Sequence, residues 1–220
     1  MTAAERALDF VKAGDRVGLG TGHAASAFAK ALAGRVRDGL EIRAVPTSEA
    51  TAEQARALGI PLATLDEIDA LDVTFDGADE VDPRLDLIKG YGGALVRERV
   101  VASVSERLVI LVGREKLVPV LGTRGALPVE VVPFALSTCR RVLDAMGFPS
   151  VVRLDGGRPF LTDNGNFLLH VQVAALADPA ATLARLRTVP GIVDAGLFLG
   201  LASIVIVDDG DHVEVLRRES

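Results

Sequence analysis

The most informative part of the sequence is the stretch Leu71-Asp-Val-Thr-Phe-Asp-Gly-Ala-Asp-Glu80. Its first five residues form a short β-branched and aromatic run, which predicts a buried strand that delivers Asp76 to its carboxyl end. Gly77 and Ala78 keep the following turn small, so the carboxylates of Asp76 and Asp79 can face whatever lies above the sheet. Acidic side chains at the end of a buried strand indicate a functional site in an α/β protein.

A second strand-like piece, Leu87-Ile88, leads into the glycine-rich segment Lys89-Gly-Tyr-Gly-Gly93. Glycines allow positive φ and let backbone N–H groups approach a ligand closely. A helix is predicted to begin near Gly93 or Ala94 and to carry Glu98 in its second turn. Carboxylates, an ammonium group and a set of amides therefore lie close together in the sequence, as a binding or catalytic site requires.

Other interpretations of this stretch are an ordinary solvated turn and a metal site. Asp-rich turns and a Gly-Gly pair before a helix are common in plain surface loops. An EF-hand is excluded, because the Asp-x-Asp-x-Asp-Gly order and the closing glutamate are both missing. A Mg²⁺ site built from Asp76, Asp79 and Asp82 remains an open alternative.

Composition narrows the class of protein. The chain has 220 residues, 49% of them hydrophobic, which is enough for one large domain or two modest ones. No apolar run is long enough to cross a bilayer, and the N-terminal residues show no signal peptide. A net charge of −6 without a basic run argues against nucleic acid as a partner. Cys139 is the only cysteine, which excludes an internal disulfide and predicts a cytoplasmic location.

Lysine is rare in this chain. Only four of the 24 basic residues are lysines, namely Lys12, Lys30, Lys89 and Lys116. A compact ammonium group and the planar fork of arginine suit different chemistry. Lys89 and Lys116 lie in candidate loops, so we treat them as candidate functional residues, whereas the other two lie on predicted helices.

The first part of the chain alternates strands and helices, which predicts a Rossmann-like, mostly parallel sheet wrapped by helices. The predicted strands cover residues 15–20, 41–45, 61–65, 71–75 and 107–113, and the predicted helices cover 2–13, 24–37, 48–58 and 94–105. Ligands of such sheets bind above the carboxyl ends of the strands. We therefore expect convergence of the residues that follow strands: Thr21, Thr47, Asp76, Lys89 and Lys116.

The turn Gly18-Leu-Gly-Thr-Gly-His23 leads from a strand into a helix, a setting that binds phosphate through helix N–H groups. His23 replaces the third glycine of the dinucleotide fingerprint, and Thr47 follows Pro46 where an acid would be needed, so NAD binding is disfavoured. Thr21 and the following amides suit a small phosphate or a sugar hydroxyl better. His23 is either a ligand-facing imidazole or a tolerated loop residue.

From Leu127 the pattern changes to β-α-β-β-α-β, typical of a smaller ferredoxin-like α+β domain. Its predicted strands cover 128–133, 150–154, 167–173 and 192–198, and its helices cover 135–146 and 179–188. Thr162-Asp-Asn-Gly-Asn166 predicts a hairpin with a type I′ turn. A final hairpin, 202–207 with 212–216, is expected to return to the first domain. The predicted domains are 1–125 with 200–220, and 126–199.

The sequence closely resembles the type A ribose-5-phosphate isomerase family over nearly its whole length. The resemblance is carried by Gly18-Leu-Gly-Thr-Gly22, Thr47-Ser-x-Ala-Thr51, Asp76-Gly-Ala-Asp-Glu80, Lys89-Gly-x-Gly92, Arg97-Glu98, Lys116, Thr162-Asp-Asn-Gly-Asn166, Pro190-Gly191 and Gly196-Leu-Phe198. The chain departs from the family at two places. His23-Ala24 stands where Ser-Thr is common, and Tyr91 stands where glycine is common.

The resemblance implies interconversion of D-ribose 5-phosphate and D-ribulose 5-phosphate through an enediolate, in the non-oxidative branch of the pentose phosphate pathway. It implies no metal and no organic cofactor, and a homodimer or higher homo-oligomer. The implied catalytic residues are Glu98 as the base, Lys89, Asp76 and Asp79. The implied substrate-binding residues are Thr21, Gly22, His23, Ala24, Asp76, Gly77, Ala78, Asp79, Lys89, Gly90, Tyr91, Gly92 and Lys116.

Two other functions remain alternatives. A sugar-phosphate-sensing domain would use the same phosphate and hydroxyl contacts without needing Glu98 paired with Lys89, and it usually accompanies a DNA-binding segment, which this sequence does not show. A transferase could use a glutamate of an α/β crevice as a nucleophile.

Overall fold

The computed structural model describes residues 1–218 of the chain. Their α-helices are α1 (Ala3–Ala7), α2 (His23–Arg37), α3 (Glu49–Ala57), α4 (Leu95–Ser103), α5 (Leu136–Ala145) and α6 (Pro179–Arg187). Short 3₁₀ helices cover Leu8–Phe10, Arg114–Lys116 and Pro133–Ala135. In this part of the chain, no helix has the length and apolar character that a membrane span requires.

The same residues form fifteen short strands. They are β1 (Arg16–Leu19), β2 (Arg43–Pro46), β3 (Val73–Asp76), β4 (Glu80–Val81), β5 (Leu87–Ile88), β6 (Leu108–Gly113), β7 (Leu127–Val131), β8 (Ser150–Val152), β9 (Leu154–Asp155), β10 (Arg158–Pro159), β11 (Phe167–Val171), β12 (Ile192–Ala195), β13 (Leu197–Phe198), β14 (Ala202–Asp208) and β15 (Val213–Arg217).

The chain divides into two compact units. The first contains Met1–Ala78, Arg97–Leu117 and the chain from Gly200 onward, and the second contains Asp79–Val96 and Val118–Leu199. The boundary predicted from the sequence differs, since it assigns residues 79–96 and 118–125 to the first domain. The difference arises because β5 pairs with β13, far along the chain, which a local sequence pattern does not reveal.

The first unit is built on a six-stranded sheet in the order β15-β14-β6-β3-β1-β2. All neighbours are parallel except β15, which runs antiparallel to β14 at one edge. The Rossmann-like, mostly parallel sheet is therefore confirmed. The five parallel strands end at one edge of the sheet, where α/β proteins bind their ligands.

The core of the first unit explains why its turns are fixed. Strands buried on both faces need continuous apolar runs, and β6 has one from Leu108 to Val112. On one face, Phe28 of α2 stacks against Phe75 of β3 with ring centroids 4.0 Å apart. This contact holds α2 directly over the sheet, so the turn that enters α2 has a rigid support.

Several local predictions for the first unit need correction. The predicted strand at 61–65 is reduced to an isolated bridge between Ala44 and Leu62. Thr2 caps the first helix as expected, but α-helical geometry ends at Ala7 and a 3₁₀ turn follows. Strand β14 pairs in parallel with β6 and antiparallel with β15, so the final hairpin completes this sheet.

The second unit contains an antiparallel sheet in the order β12-β7-β11-β8, with α5 and α6 as its helices. In chain order these elements follow β-α-β-β-α-β, and the strand order is the one expected for a ferredoxin-like unit. Its core includes the fully buried side chains of Leu127, Val129 and Leu169. A separate three-stranded sheet, β13-β5-β4, belongs to the same unit.

The hairpin turn at 162–166 exists, but its type differs from the prediction. The Gly165 amide donates to the Thr162 carbonyl oxygen at 2.8 Å, and of the residues in this described turn only Gly165 has positive φ. A type I′ turn needs positive φ at Asn164 as well. Asn164 is instead held by its side chain, which donates to a carboxylate oxygen of the buried Glu130 at 3.3 Å, as does Asn166 at 2.8 Å.

Candidate active site

The parallel sheet of the first unit gathers four of the expected residues at its carboxyl edge. Asp76 is the last residue of β3, and Thr21 and Thr47 follow the adjacent strands β1 and β2. Lys116 closes the 3₁₀ turn that follows β6 and is half-buried. The prediction that these residues converge is correct for this sheet, because parallel neighbours end on the same side.

The carboxylate of Asp76 is buried and fixed by backbone donors. The Thr21 amide donates to Asp76 Oδ1 at 3.2 Å, and the Gly77 amide donates to the same oxygen at 2.8 Å. A Cβ at Gly20 would lie 2.2 Å from the Asp76 carboxyl carbon, so only glycine fits there. Strand β1 can therefore approach β3 closely enough to set the orientation of this carboxylate.

A hydroxyl cluster lies beside Thr21. Thr21 Oγ1 is 2.8 Å from Thr47 Oγ1, 2.9 Å from Ser48 Oγ and 3.3 Å from Thr51 Oγ1. Thr51 in turn donates to the Gly20 carbonyl oxygen at 3.0 Å. The sequence analysis placed Thr47 at this edge of the sheet, but it assigned none of Thr47, Ser48 and Thr51 to substrate binding. Their signal was the motif Thr47-Ser-x-Ala-Thr51, in which Ser48 caps α3 as expected.

The N-terminus of α2 differs from that of α3 in having no side-chain cap. Its N-cap is Gly22, with φ of 111°, and Gly22 and His23 are exposed. The first amides of a helix have no intrahelical acceptor, and together with the helix dipole they attract anions. Ala24 lies near Gly77, since a Cβ at Gly77 would be 3.9 Å from the Ala24 Cβ. This turn can bind a phosphate through its backbone.

Glu98 lies in the first turn of α4 and is 3% exposed. The prediction of the second turn was wrong by a few residues, because the helix begins at Leu95 rather than at Gly93 or Ala94. The neighbouring Arg97 donates to Glu49 Oε1 at 2.8 Å, and this hydrogen bond lowers the pKa of the Glu49 carboxyl. Glu98 is therefore a buried carboxylate on a helix that a surface ion pair helps to orient.

The remaining predicted residues belong to the second unit. Lys89 follows β5, whose partners β4 and β13 are both antiparallel to it. The expectation that Lys89 converges through parallel topology is therefore wrong, since its strand is not in the parallel sheet. Lys89 is 3% exposed, and its Nζ lies 5.6 Å from the ring centroid of the buried Phe198.

The backbone around Lys89 is fixed by Gly196. The Lys89 amide donates to the Gly196 carbonyl oxygen at 2.9 Å, and a Cβ at Gly196 would lie 2.0 Å from the Lys89 carbonyl oxygen. Neither Gly196 nor Phe198 was among the predicted site residues, although both lie in the motif Gly196-Leu-Phe198. The backbone of Lys89 is thus fixed, and its buried ammonium group is shielded from water, where a charge acts more strongly on a nearby anion.

Asp79 and the glycine turn form one hydrogen-bonded unit. The Asp79 amide donates to the Ile88 carbonyl oxygen at 2.8 Å, and Asp79 Oδ2 accepts from the Tyr91 amide at 3.1 Å. Gly90 has φ of 113°, and the Gly93 amide closes the turn by donating to its carbonyl oxygen at 2.9 Å. Gly92 is exposed at the tip of the turn.

The other acids of the stretch have structural partners. Glu80 accepts from the Gly122 amide at 2.6 Å and from the Arg124 amide at 2.8 Å. Asp82 Oδ1 accepts from the amides of Arg84 and Asp86, both at 2.9 Å, within its own turn. Among the described residues, no group of three or more histidines, cysteines or acids is arranged to hold a metal ion.

Comparison with known proteins identifies the family. Residues 43–212 match the family model for ribose 5-phosphate isomerase A (phosphoriboisomerase A). The chain is 50% identical over 216 residues to ribose-5-phosphate isomerase A of Gloeobacter violaceus, covering 98% of this chain and 94% of that protein. The chain belongs to the ribose-5-phosphate isomerase A family.

Further relatives and solved structures of the ribose-5-phosphate isomerase A family agree with this assignment. The enzyme of Roseiflexus castenholzii is 49% identical over 218 residues, covering 98% of this chain and 93% of that protein. The structure from Methanocaldococcus jannaschii superposes with a TM-score of 0.93 at 37% identity, covering 98% of this chain and 96% of the other. A D-ribose-5-phosphate isomerase in complex with phospho-erythronic acid superposes with a TM-score of 0.95, with the same identity and coverage.

Membership of the ribose-5-phosphate isomerase A family establishes the activity. The chain is an aldose–ketose isomerase that interconverts ribose 5-phosphate and ribulose 5-phosphate. The alternative of a sensing domain without chemistry is not supported, since the relatives that match along nearly the whole chain are isomerases.

Proposed function

We propose that Glu98 is the base that moves the proton between C2 and C1 of the sugar phosphate. The observation that carries this proposal is a carboxylate, only 3% exposed, in the first turn of a helix that directly follows the glycine turn. Removal of the C2 proton by Glu98 gives an enediolate. The hydroxyl proton of O2 then passes to O1, and delivery of a proton from Glu98 to C1 completes the isomerisation. A rigid helix suits this role, because a general base must keep its reach to both carbons.

In this proposal the Lys89 ammonium group and the neighbouring glycine amides stabilise the negative charge of the enediolate. The charge develops on the oxygens of C1 and C2 during proton transfer, and donors aimed at it lower the barrier most when water is excluded. The burial of Lys89 and its anchoring to Gly196 support this role. Asp76 and Asp79 would orient the sugar hydroxyls and carry protons during ring opening, and their fixed carboxylates support that assignment.

The phosphate group is proposed to bind at the N-terminus of α2 and near Lys116. Thr21, Gly22, His23 and Ala24 form the turn whose amides lack a side-chain cap. The similar isomerase solved in complex with phospho-erythronic acid supports a site that accepts a phosphate and a carboxylate in one ligand. Gly77, Ala78, Gly90 and Gly92 would line the substrate with backbone groups, and Tyr91, whose amide and carbonyl oxygen already have partners, would lie between the last two.

Glu98→Gln tests the proposed base. Glutamine keeps the shape and hydrogen bonds of the side chain but cannot take up the C2 proton, so kcat should fall by about 10²–10⁴-fold. Substrate affinity should change little, because other residues contact the phosphate and hydroxyls. Exchange of the C2 proton with deuterated solvent should be lost together with isomerisation, since both pass through the enediolate.

The matched control for this experiment is Glu53→Gln, which changes an exposed glutamate of α3. Thermal melts of both variants show whether the fold is retained. A Glu98→Gln protein that is folded, binds substrate and still exchanges the C2 proton near the wild-type rate would transfer the role of base to Asp76 or Asp79.

We also propose a homodimer or higher homo-oligomer. Four exposed apolar side chains lie near one end of the antiparallel sheet of the second unit, namely Val132, Phe134, Leu161 and Val193, and Phe134 is fully exposed. Apolar groups exposed together are typical of association surfaces. Light scattering should give a mass of at least two chains, and Phe134→Ser should reduce it. A monomeric wild-type chain at micromolar concentration would contradict the proposal.

A cytoplasmic location is proposed from the chemistry of Cys139. It is a free thiol in the core, and burial raises its pKa, so it stays protonated and unreactive. A single unpaired cysteine suits a reducing compartment. Fractionation of cells that express the tagged chain tests this location, and recovery in a membrane or secreted fraction would contradict it.

A further inference from the structure

Tyr91 stands at the centre of the glycine turn, and all its polar groups are used. Its amide donates to Asp79 Oδ2 at 3.1 Å, and its carbonyl oxygen accepts from Arg153 Nη1 at 2.7 Å. Its phenol Oη donates to the Ala126 carbonyl oxygen at 2.7 Å. One residue thus connects a proposed catalytic carboxylate with two other segments of the second unit.

The phenol hydrogen bond ties the turn to the strand that also holds Lys89. Ala126 directly precedes β7, whose residues Leu127 and Val129 are fully buried. Gly196 connects Lys89 to the same strand. Its carbonyl oxygen accepts from the Lys89 amide, and its own amide donates to the Pro128 carbonyl oxygen at 2.7 Å. The turn is therefore fastened at both Lys89 and Tyr91 to one rigid strand.

The residues around Tyr91 leave room for its phenol group. A Cβ at Gly125 would lie 2.5 Å from Tyr91 Oη, so a side chain at residue 125 would displace the hydroxyl group. The ring lies against His170, with centroids 5.2 Å apart, and Arg153 stacks over Phe160 at 3.9 Å. Glycine at residue 125 thus matches tyrosine at residue 91.

We propose that Tyr91 is a positioning residue for the isomerisation, whose phenol hydrogen bond to Ala126 holds the Lys89–Gly93 turn and the Asp79 carboxylate in their working geometry. The proposal rests on the roles proposed above for Lys89 and Asp79.

This role predicts a loss in kcat rather than in KM. The turn is proposed to stabilise charge that exists only in the transition state, and donors that are displaced slightly lose that interaction. Binding of the ground state depends mainly on the phosphate turn at Thr21–Ala24, which the change does not touch. Loss of one neutral hydrogen bond that positions catalytic groups should lower kcat by about tenfold.

A double-mutant cycle of Tyr91→Phe and Gly125→Ala tests the proposal. The first change removes the hydroxyl, and the second displaces it while leaving Tyr91 in the chain. Gly125 has a backbone conformation open to alanine, and a Cβ there would be 3.6 Å from Tyr91 Cζ, an ordinary contact once the hydroxyl is gone. Gly34→Ala is the control, because a Cβ there would meet nothing within 4 Å.

We expect each single variant to lose about tenfold in kcat with KM within about twofold, and the double variant to lose no more than either single one. Tyr91 is the only tyrosine and the chain has no tryptophan, so near-ultraviolet circular dichroism reports its displacement in Gly125→Ala directly. Wild-type kcat in Tyr91→Phe, losses that multiply in the double variant, or a change confined to KM would overturn the proposal. Lys89→Arg is measured in the same assay. A wild-type kcat in that variant would show that the role proposed for Lys89 fails, whereas a lowered kcat there with a wild-type kcat in Tyr91→Phe would show that only the support by Tyr91 fails.

Discussion

The glycine turns at Thr21–Ala24 and Lys89–Gly93 differ in how closely other residues pack around them. The turn at Thr21–Ala24 is open, since Gly22 is exposed and a Cβ there would meet nothing within 4 Å. The turn at Lys89–Gly93 is enclosed, since a Cβ at Gly93 would lie 2.6 Å from Phe160 and one at Gly90 would lie 2.9 Å from the Leu95 Cβ. Both turns present backbone amides. Distant side chains hold only the first residue of the open turn, Thr21, whereas they surround the second turn at several positions.

This difference matches the two tasks proposed for the turns. A phosphate far from the reacting carbons contributes binding energy in ground and transition states alike, so its site tolerates variation. Donors to an enediolate must keep their geometry within a fraction of an ångström to act. The departures from the family pattern fit this view, because His23 enters an open turn without a visible adjustment, whereas Tyr91 needs Gly125 beside it.

The largest effect is expected for Lys89→Arg in the enclosed turn. Arginine keeps the charge but replaces a compact ammonium group with a wide planar fork, for which the space beside Phe198 and Gly196 is not built. We expect kcat to fall by about 10²-fold or more, as for loss of an oxyanion-stabilising donor. Steady-state kinetics measures this, with the exposed Lys30→Arg as the control. Activity like that of the wild type would mean that Lys89 supplies only diffuse charge.

The sequence alone allowed the parallel sheet and its edge to be predicted, since those signals are local. The apolar run before Asp76 and the glycines before Thr21 lie within the elements that they define. The prediction of a strand at 61–65 was wrong. Only Leu62 of this segment makes a β-bridge, and an apolar pattern alone does not show whether a segment pairs with a neighbouring strand. Roles for individual residues came from resemblance to the family, and their assignment stays a prediction.

The enclosed turn could not be predicted, because its supports are distant in the sequence. The acceptor of the Tyr91 phenol lies 35 residues away and the donor to its carbonyl oxygen lies 62 residues away. Strand β5, which leads to Lys89, has only two residues, too few to show a period. The type of the turn at 162–166 was missed for a similar reason, since Glu130 holds Asn164 from another strand.

A pair of glycine substitutions separates the two turns by stability. Gly93→Ala places a Cβ against the Phe160 ring at φ of 94°, so clash and backbone strain add to about 2–4 kcal/mol. Gly22→Ala meets backbone strain alone, at φ of 111° and ψ of −176°, which costs about 1–3 kcal/mol. Urea unfolding of both variants measures the difference, and kinetics should show mainly kcat lowered in the first and KM raised in the second. Equal destabilisation by the two substitutions would mean that the residues around Gly93 move aside at little cost in free energy.

The smallest effect concerns pH and His170, whose ring lies against Tyr91 in the enclosed region. Burial, and to a lesser degree the Arg153 charge, lower the pKa of the His170 imidazole below its ordinary value of 6.5. Its Nε2 makes no hydrogen bond among residues 1–218, so a phenylalanine could replace it without stranding a partner. The folded chain therefore keeps this imidazole neutral at a pH where the unfolded chain already binds a proton.

The sign of the pH effect follows from the protons bound in each state. At pH values between the lowered pKa of folded His170 and 6.5, the unfolded chain binds more protons than the folded chain. The free energy of unfolding therefore rises with pH in this range, and the loss of stability caused by His170 disappears above pH 6.5. Lowering the pH from 7.5 to 5.5 should thus destabilise the wild type more than His170→Phe, as urea unfolding at both values would show. His212→Gln, which changes an exposed imidazole, should keep the wild-type dependence. Identical pH dependence in His170→Phe and the wild type would mean that the imidazole beside Tyr91 accepts a proton without a cost in stability. The region around the Lys89–Gly93 turn would then be more open to water than its contacts indicate.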